Sequence, residues 1–444
     1  MEGSQAISLN RQIFQRKRWS IAVAAVVIQL CLGTVYGWSI FKNELVANHG
    51  WDELATSITF MVCIGVIGLA AAFGGILVDR KGPRLVATLA GVLFGIGTII
   101  AGLGIAKTNL PMLYLGYGVI AGMGNGLGYV TPIATLIRWF PDKRGLVTGL
   151  AVMGFGAGSF FIGQIAPGMI ASWGAARTLA SWGAVFLVLI VTAAQWLENP
   201  ATDKLAINQE SDIKRKESES FGYQEALHTS QWWLEWGMLL LNITAGIGLI
   251  SQLSPIASEL YRPLITPDLA GRDLIQAVDA AGGTLVAIAA VFNGLGRLIW
   301  SWLSDSLGRR RIFSIMFLSQ AILYAITPHV NSYYLFMIIA CYLLACYGGG
   351  FATMPAFAAD SFGTKNIGRI YGTMLTAWSV AGLCGPLIFA AARKTTHNFS
   401  AALYISSVLL LVGFFLSRLY KNPRHQSRPQ LASTPGENSL KSLL

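Results

Sequence analysis

The sequence predicts an all-α membrane protein, with twelve transmembrane helices in two six-helix bundles and both termini in the cytoplasm. Three observations carry this reading. Of 444 residues, 54% are hydrophobic and only 12% are charged, far below the roughly 25% charged composition of a soluble domain. Twelve apolar stretches are each long enough to cross a hydrocarbon core of about 30 Å, which takes about 20 helical residues. Finally, the residues that close the second stretch return at the end of the eighth, so six helices repeat six.

Spans 1 to 6 are read at 19–41, 54–78, 85–106, 110–138, 144–171 and 176–197; spans 7 to 12 at 231–258, 279–303, 311–327, 333–356, 368–392 and 398–418. Span 1 is too long for a signal-peptide core and no small-residue cleavage site follows it, so it is a retained helix. Span 4 contains GYGVIAGMGNGLG, with Gly118, Gly122 and Gly126 at intervals of four, and span 5 contains Gly154 and Gly158. Small residues let helix backbones approach closely in lipid. The longest polar interruption, 198–230, has alternating charges and no apolar periodicity, as expected of a solvated linker with at most one interfacial helix. The chain therefore divides into a cytoplasmic segment 1–18, a first bundle 19–197, the linker 198–230, a second bundle 231–418 and a polar, disordered cytoplasmic tail 419–444.

Of the 32 basic residues, 24 fall at the N-terminus, in loops after even-numbered spans or in the tail, and seven fall on the opposite side. This asymmetry fixes the orientation, because cytoplasmic loops carry the Lys/Arg excess. The net charge of +11 is thus a matter of topology and of weak attraction to the bilayer; nucleic acid is not an expected partner. The five cysteines lie within spans without metal-ligand spacing, and the five histidines lie in loops or tails. No metal, cofactor or catalytic cluster is expected, so the chain is not read as an enzyme.

The repeat pairs GGILVDRKGPR at the end of span 2 with WSWLSDSLGRRR at the end of span 8, aligning Asp79 with Asp305 and Arg84 with Arg310. A second echo relates TPIATLIRWFPDKRGLVTGL to TMPAFAADSFGTKNIGRIYGT. The motif G-x-x-x-D-R-x-G-x-R at Gly75–Arg84 resembles that of the major facilitator superfamily, and the resemblance covers all twelve spans. It implies a site near the midplane between two bundles that rock to expose it alternately. An aspartate at a helix C-terminus faces the negative end of the dipole and needs a compensating partner. Arg80, Arg84 or the N-terminus of a helix in the same half could supply one for Asp79, as Arg309 and Arg310 could beside Asp305. These charges then form either a latch that breaks on rocking or a plain cytoplasmic turn.

One basic residue fits neither side. Arg297 lies in span 8, about 10–12 Å from its cytoplasmic end at about 1.5 Å per residue. An arginine at that depth costs about 2.5–3.5 kcal/mol on insertion scales, and such residues face a bundle interior or wet cavity and bind something anionic. Every Asp and Glu can be assigned to a terminus, a loop or a span end, including Glu235 and Asp360. The missing anion is therefore read as the substrate, with snorkelling toward headgroups as the alternative. Asn293 lies one turn earlier, and Trp300 and Ser301 one turn later.

LGTVYGWSIF, RWFPDKRGL, SQWWLEWGMLLLN and NGLGRLIWSWLSD together resemble the oxalate/formate antiporter family of organic-anion carriers. The resemblance implies a cavity in which Arg297 grips a carboxylate among Tyr36, Tyr129, Tyr347 and Phe351. In the oxalate carrier a span 11 lysine holds the second carboxylate; here YGTMLTAW puts Trp378 there. Phe155 stands where a tyrosine is found. One cation in a more apolar wall implies a small monocarboxylate of the formate, lactate or pyruvate type, with oxalate the weaker choice. Anion exchange needs no buried proton relay, while a proton could still travel with the substrate as coupling ion. The expected protein is a monomer in the plasma (inner) membrane. A proton-driven drug exporter shares the Asp79 and Asp305 motifs but needs a buried acid, and a nutrient sensor would be distinguished by absence of flux.

Overall fold

The computed structural model describes residues 2–200, 220–265 and 271–423, and among them the secondary structure is helical without a strand. Ten helical runs there are long and apolar enough to cross a membrane. The count of twelve is recovered in two places. Arg144–Ala194 holds spans 5 and 6, reversing direction at Gly174, whose φ of 77° lies in the left-handed region that only glycine adopts readily. Span 4 runs through Leu110–Leu113, a π-helical stretch Tyr114–Ala121 and then Gly122–Trp139. The expected linker lies outside the described residues over 201–219, as does the tail from 424 onward. The described end of the linker forms a short helix Tyr223–Leu227. It is tied to the span 10–11 corner by the Phe221 N–H donating to the Phe362 carbonyl at 2.9 Å, while Asn366 Nδ2 donates to the Phe221 carbonyl at 2.9 Å.

Span 1 departs from the expected straight helix. Glu2–Gly33 passes into a 3-10 turn, Thr34–Gly37, and then a separate helix, Trp38–His49. The turn follows directly on Gly33, where a methyl group would stand 1.7 Å from the Phe155 carbonyl oxygen. Backbone meets backbone there, so spans 1 and 5 cross at contact distance. Tyr36 lies within the turn and is thereby aimed into the bundle.

Buried amides fix the remaining helices in register. Gln29 Nε2 donates to the Tyr129 carbonyl at 2.9 Å and Asn125 Nδ2 to the Leu32 carbonyl at 2.8 Å, locking span 1 to span 4. In the second half Asn242 Nδ2 donates to the Tyr347 carbonyl at 3.2 Å and is itself held by Gln320 at 3.2 Å. Each such bond costs most when one partner is removed and the other stays buried. Together they set the height of Tyr129 and Tyr347 in the membrane.

The two halves meet along their cytoplasmic portions, where span 5 packs on span 8 and span 2 on span 11. A methyl group at Gly145 would lie 2.0 Å from the Ser301 carbonyl oxygen. Toward the outer face Gly163, Gly283 and Gly294 have nothing within 4 Å of an added Cβ. A cavity of about 700 Å³ opens there between the outer ends of spans 1 and 5, lined by Asn43, Glu44, Pro167 and Ile170 among others. The molecule is closed at the cytoplasmic end.

Candidate functional site

The closure consists of two related clasps. Asp79 at the end of span 2 accepts from the backbone N–H groups of Gly368 at 3.2 Å and Arg369 at 2.8 Å and pairs with Arg138. Asp305 at the end of span 8 accepts from Gly145 N–H and Leu146 N–H, both at 2.9 Å, and from Arg309 at 2.6 Å. Gly145 and Gly368 are equivalent in the second sequence echo, so each aspartate caps the start of an odd-numbered span in the opposite half. An aspartate misplaced on its own dipole is thus well placed on another's. The guanidinium partners lie within the same half as expected, while the helix N-terminus that each aspartate caps belongs to the opposite half. Arg80 and Arg84 are exposed, and Asp79 meets Arg138 instead. Arg310 donates to the last carbonyls of span 12, at Ser417 (3.1 Å) and Arg418 (2.5 Å). Arg309 and Arg144 share Asp360, at 2.9 and 2.7 Å.

Above the clasps, Arg297 is 1% exposed. Its Nη1 donates to the Val152 carbonyl of span 5 at 3.0 Å and its Nε to Asn293 Oδ1 at 3.3 Å. Among the described residues no carboxylate forms an ion pair with it. The guanidinium lies 5.9 Å from the ring centres of both Phe155 and Phe351, within cation–π range. It therefore points inward between the halves, and it does not snorkel.

The aromatic residues named from the sequence converge on it. Tyr129 stands 5.1 Å from Phe155, 5.5 Å from Trp378 and 6.2 Å from Phe351, and Phe351 stands 5.0 Å from Trp378. Tyr36 packs edge-on to Phe155 at 5.5 Å, with its hydroxyl toward Tyr347 and Arg297. These rings come from spans 1, 4, 5, 10 and 11, and the box spans both halves. Trp300 turns away to Gly349 and Tyr342, whereas Ser301 meets Thr353 at 3.0 Å.

Beside this box the hydroxyls of Tyr129 and Tyr371 face one another, and the buried indole N–H of Trp378 lacks a hydrogen-bond partner. Tyr371 lies in the electrostatic reach of both Arg297 and Tyr129. It is fully buried. Sequence reading missed it, although it precedes Trp378 by two helical turns in the quoted YGTMLTAW and so shares its face. Arg138 and Arg144 were missed for another reason, since only the fold brings spans 4 and 5 under the opposite half.

A model of the Major Facilitator Superfamily matches residues 19–262 and 253–444. The chain belongs to this superfamily. Its members carry solutes across membranes, and the protein is a multi-pass transporter, not an enzyme. Facilitator relatives include the "uncharacterized MFS-type transporter YhjX" of Escherichia coli, 27% identical over 84% of this chain and 87% of that one. The oxalate:formate antiporter of Oxalobacter formigenes is 27% identical over 90% of each chain. Monocarboxylate transporter 13 of Rattus norvegicus is 24% identical over 89% of this chain and 87% of that one. Among solved structures, FucP in the outward conformation superposes with a TM-score of 0.63 at 12% identity, over 89% of this chain and 97% of that one. The proton:xylose symporter XylE gives 0.60 at 17%, over 90% and 95%. At those identities the likeness is one of fold.

The acidic residues also bear on the site. Glu235, expected at the start of span 7, is fully buried there, accepting from Ser361 beside Tyr420. It belongs to the cytoplasmic ends of spans 10 and 12, next to the clasp residue Asp360, and not to the Arg297 box.

Proposed function

We propose that this facilitator moves small monocarboxylates by alternating access, with Arg297 binding the carboxylate inside the box of Tyr36, Tyr129, Phe155, Tyr347, Phe351 and Trp378, and Asn293 orienting the guanidinium. The observation that carries the proposal is a buried arginine, enclosed by aromatic rings, with no carboxylate paired to it among the described residues. A cation left so is expensive unless an anion reaches it. The antiporter and monocarboxylate transporter relatives support an organic anion as the class of substrate. Trp378 argues for a single charge, because an indole cannot pair with a second carboxylate. Asp79 and Asp305, with Arg309, act as the cytoplasmic gate. Exchange of one anion for another is the coupling that fits a box without an acid, and the protein works as a monomer in the plasma membrane.

Counterflow in proteoliposomes tests this. Formate, lactate or pyruvate is expected to exchange at least about tenfold faster than oxalate, the equivalent of about 1.4 kcal/mol; faster oxalate exchange would refute the single-charge argument. The Trp378→Lys variant is expected to narrow or reverse the ratio.

Tyr371 gives a finer test. Its hydroxyl meets that of Tyr129, and such a pair keeps one O–H free to donate to an uncharged oxygen of the substrate, so Tyr371→Phe should raise KM for lactate by roughly 5- to 10-fold, as expected for loss of about 1 kcal/mol from one neutral hydrogen bond. Formate has no such oxygen, and its KM should stay within about twofold.

A further inference from the structure

A second cationic site lies at the cytoplasmic rim, outside the Arg297 box. Spans 8 and 9 turn at Gly308, and the helix Arg309–Ile326 begins with three consecutive arginines. Cations in a first turn oppose the positive end of the helix dipole, so this corner is loaded against its own field. The repeat does not require it: at the offset relating Asp79 to Asp305, Arg309, Arg310 and Arg311 stand where the first half has Pro83, Arg84 and Leu85. Arg309 serves the clasp and Arg310 caps span 12. Arg311 does neither.

A cavity of about 660 Å³ occupies this corner, lined by Gly308–Arg311, Asp360, Arg418, Tyr420, Lys421 and neighbours. Five of its lining residues are cations and one is an acid, Asp360, which Arg144 and Arg309 already engage. Arg311, Arg418 and Lys421 are exposed. The cavity borders the lipid-facing surface: Leu307 in its wall is 40% exposed and Leu419 beside it 66%. A ligand here has an anionic group in the pocket and an apolar part against those leucines.

We propose that this corner binds the phosphate headgroup of an anionic phospholipid of the cytoplasmic leaflet, through Arg311, Arg418 and Lys421. Basic pockets between helices on that side suit such headgroups, and each cation near the surface adds to the attraction. Because Arg309 lines the same cavity, the headgroup also offsets the repulsion that the other cations exert on the clasp, and favours the closed cytoplasmic end.

The test uses the full chain in nanodiscs of phosphatidylcholine containing phosphatidylglycerol, with lipid retained through detergent exchange counted by native mass spectrometry. Wild type is expected to retain phosphatidylglycerol with roughly 100-fold preference, the worth of about three surface cations. The triple variant Arg311→Gln, Arg418→Gln, Lys421→Gln should lose that preference. The matched variant at the other corner, Arg80→Gln, Lys81→Gln, Arg84→Gln, should keep it. Equal retention by wild type and the first variant would overturn the proposal, as would equal loss in the second. Millimolar inorganic phosphate that displaces the lipid or protects as well as it does would make the site one for free anions and overturn the lipid assignment. If the triple variant does not fold, Arg311→Gln alone, at an exposed position, is expected to reduce the preference about fivefold, and an unchanged preference overturns the proposal.

Discussion

Arg297→Ala is expected to abolish carboxylate counterflow while leaving the protein folded and inserted. Truncating one member of a buried charge pair costs about 2–5 kcal/mol, so transport should fall by roughly 30-fold at the least. The expected survival of the fold has a physical basis, because the guanidinium bonds to neutral groups, the Val152 carbonyl and Asn293, with the Tyr36 hydroxyl beside it. Removing a cation without a carboxylate partner relieves a desolvation cost as much as it loses a contact. The melting midpoint of the unliganded variant should therefore equal or exceed that of wild type, whereas lactate should raise the midpoint of wild type only. Arg297→Lys keeps the charge and loses the planar fork; residual exchange of a few per cent would show that charge outweighs bidentate grip. Unchanged counterflow in Arg297→Ala would remove the basis of the proposed function.

The combined variant Asp79→Asn, Asp305→Asn is expected to open the cytoplasmic end. Each aspartate accepts two backbone N–H groups and a guanidinium, and hydrogen bonds to charged groups are worth about 1.5–3 kcal/mol each. Neutralising both weakens the four backbone N–H bonds that the aspartates accept across the seam, leaves the Arg144–Asp360 ion pair in place, and leaves the open state, which lacks those four bonds, almost untouched. A shift from 1:99 to 99:1 takes about 5.5 kcal/mol, within reach of two clasps. Spin labels at Lys143→Cys and Lys365→Cys, exposed on opposite rims, should report a longer distance in the double variant. Single variants should shift partly, since one clasp still holds. An unchanged distance distribution would show that the glycine-mediated contacts and the Arg144–Asp360 ion pair keep the seam shut without the aspartates.

Much of this was legible in the chain. The twelve spans, their orientation and the isolation of Arg297 follow from hydropathy, loop charge and the absence of a buried acid beside it, because lipid imposes those constraints locally. The aromatic box followed from family resemblance at Tyr36, Tyr129, Phe155, Tyr347, Phe351 and Trp378, and the fold gathers all six. The clasp was harder. Its aspartates were conspicuous by standing on the wrong end of a dipole, yet their partners are backbone groups of Gly145 and Gly368, which carry no side chain to advertise the role. Only the packing of span 5 on span 8 and span 2 on span 11 reveals them. The interruption of span 1 was equally hidden, since TVYG is as apolar as its surroundings and the contact beside it, with Phe155, comes from another helix.

That interruption has a mechanical consequence. Trp38–His49 follows the short 3-10 turn as an outer arm of twelve residues, docked on span 2 through Trp38 Nε1, which donates to the Thr56 carbonyl at 3.2 Å. Bending at a helix terminus absorbs a large angular change in few residues. For the proposed carrier, sealing the external mouth over an anion would start with the swing of this short lever off span 2, with Tyr36 at its fulcrum.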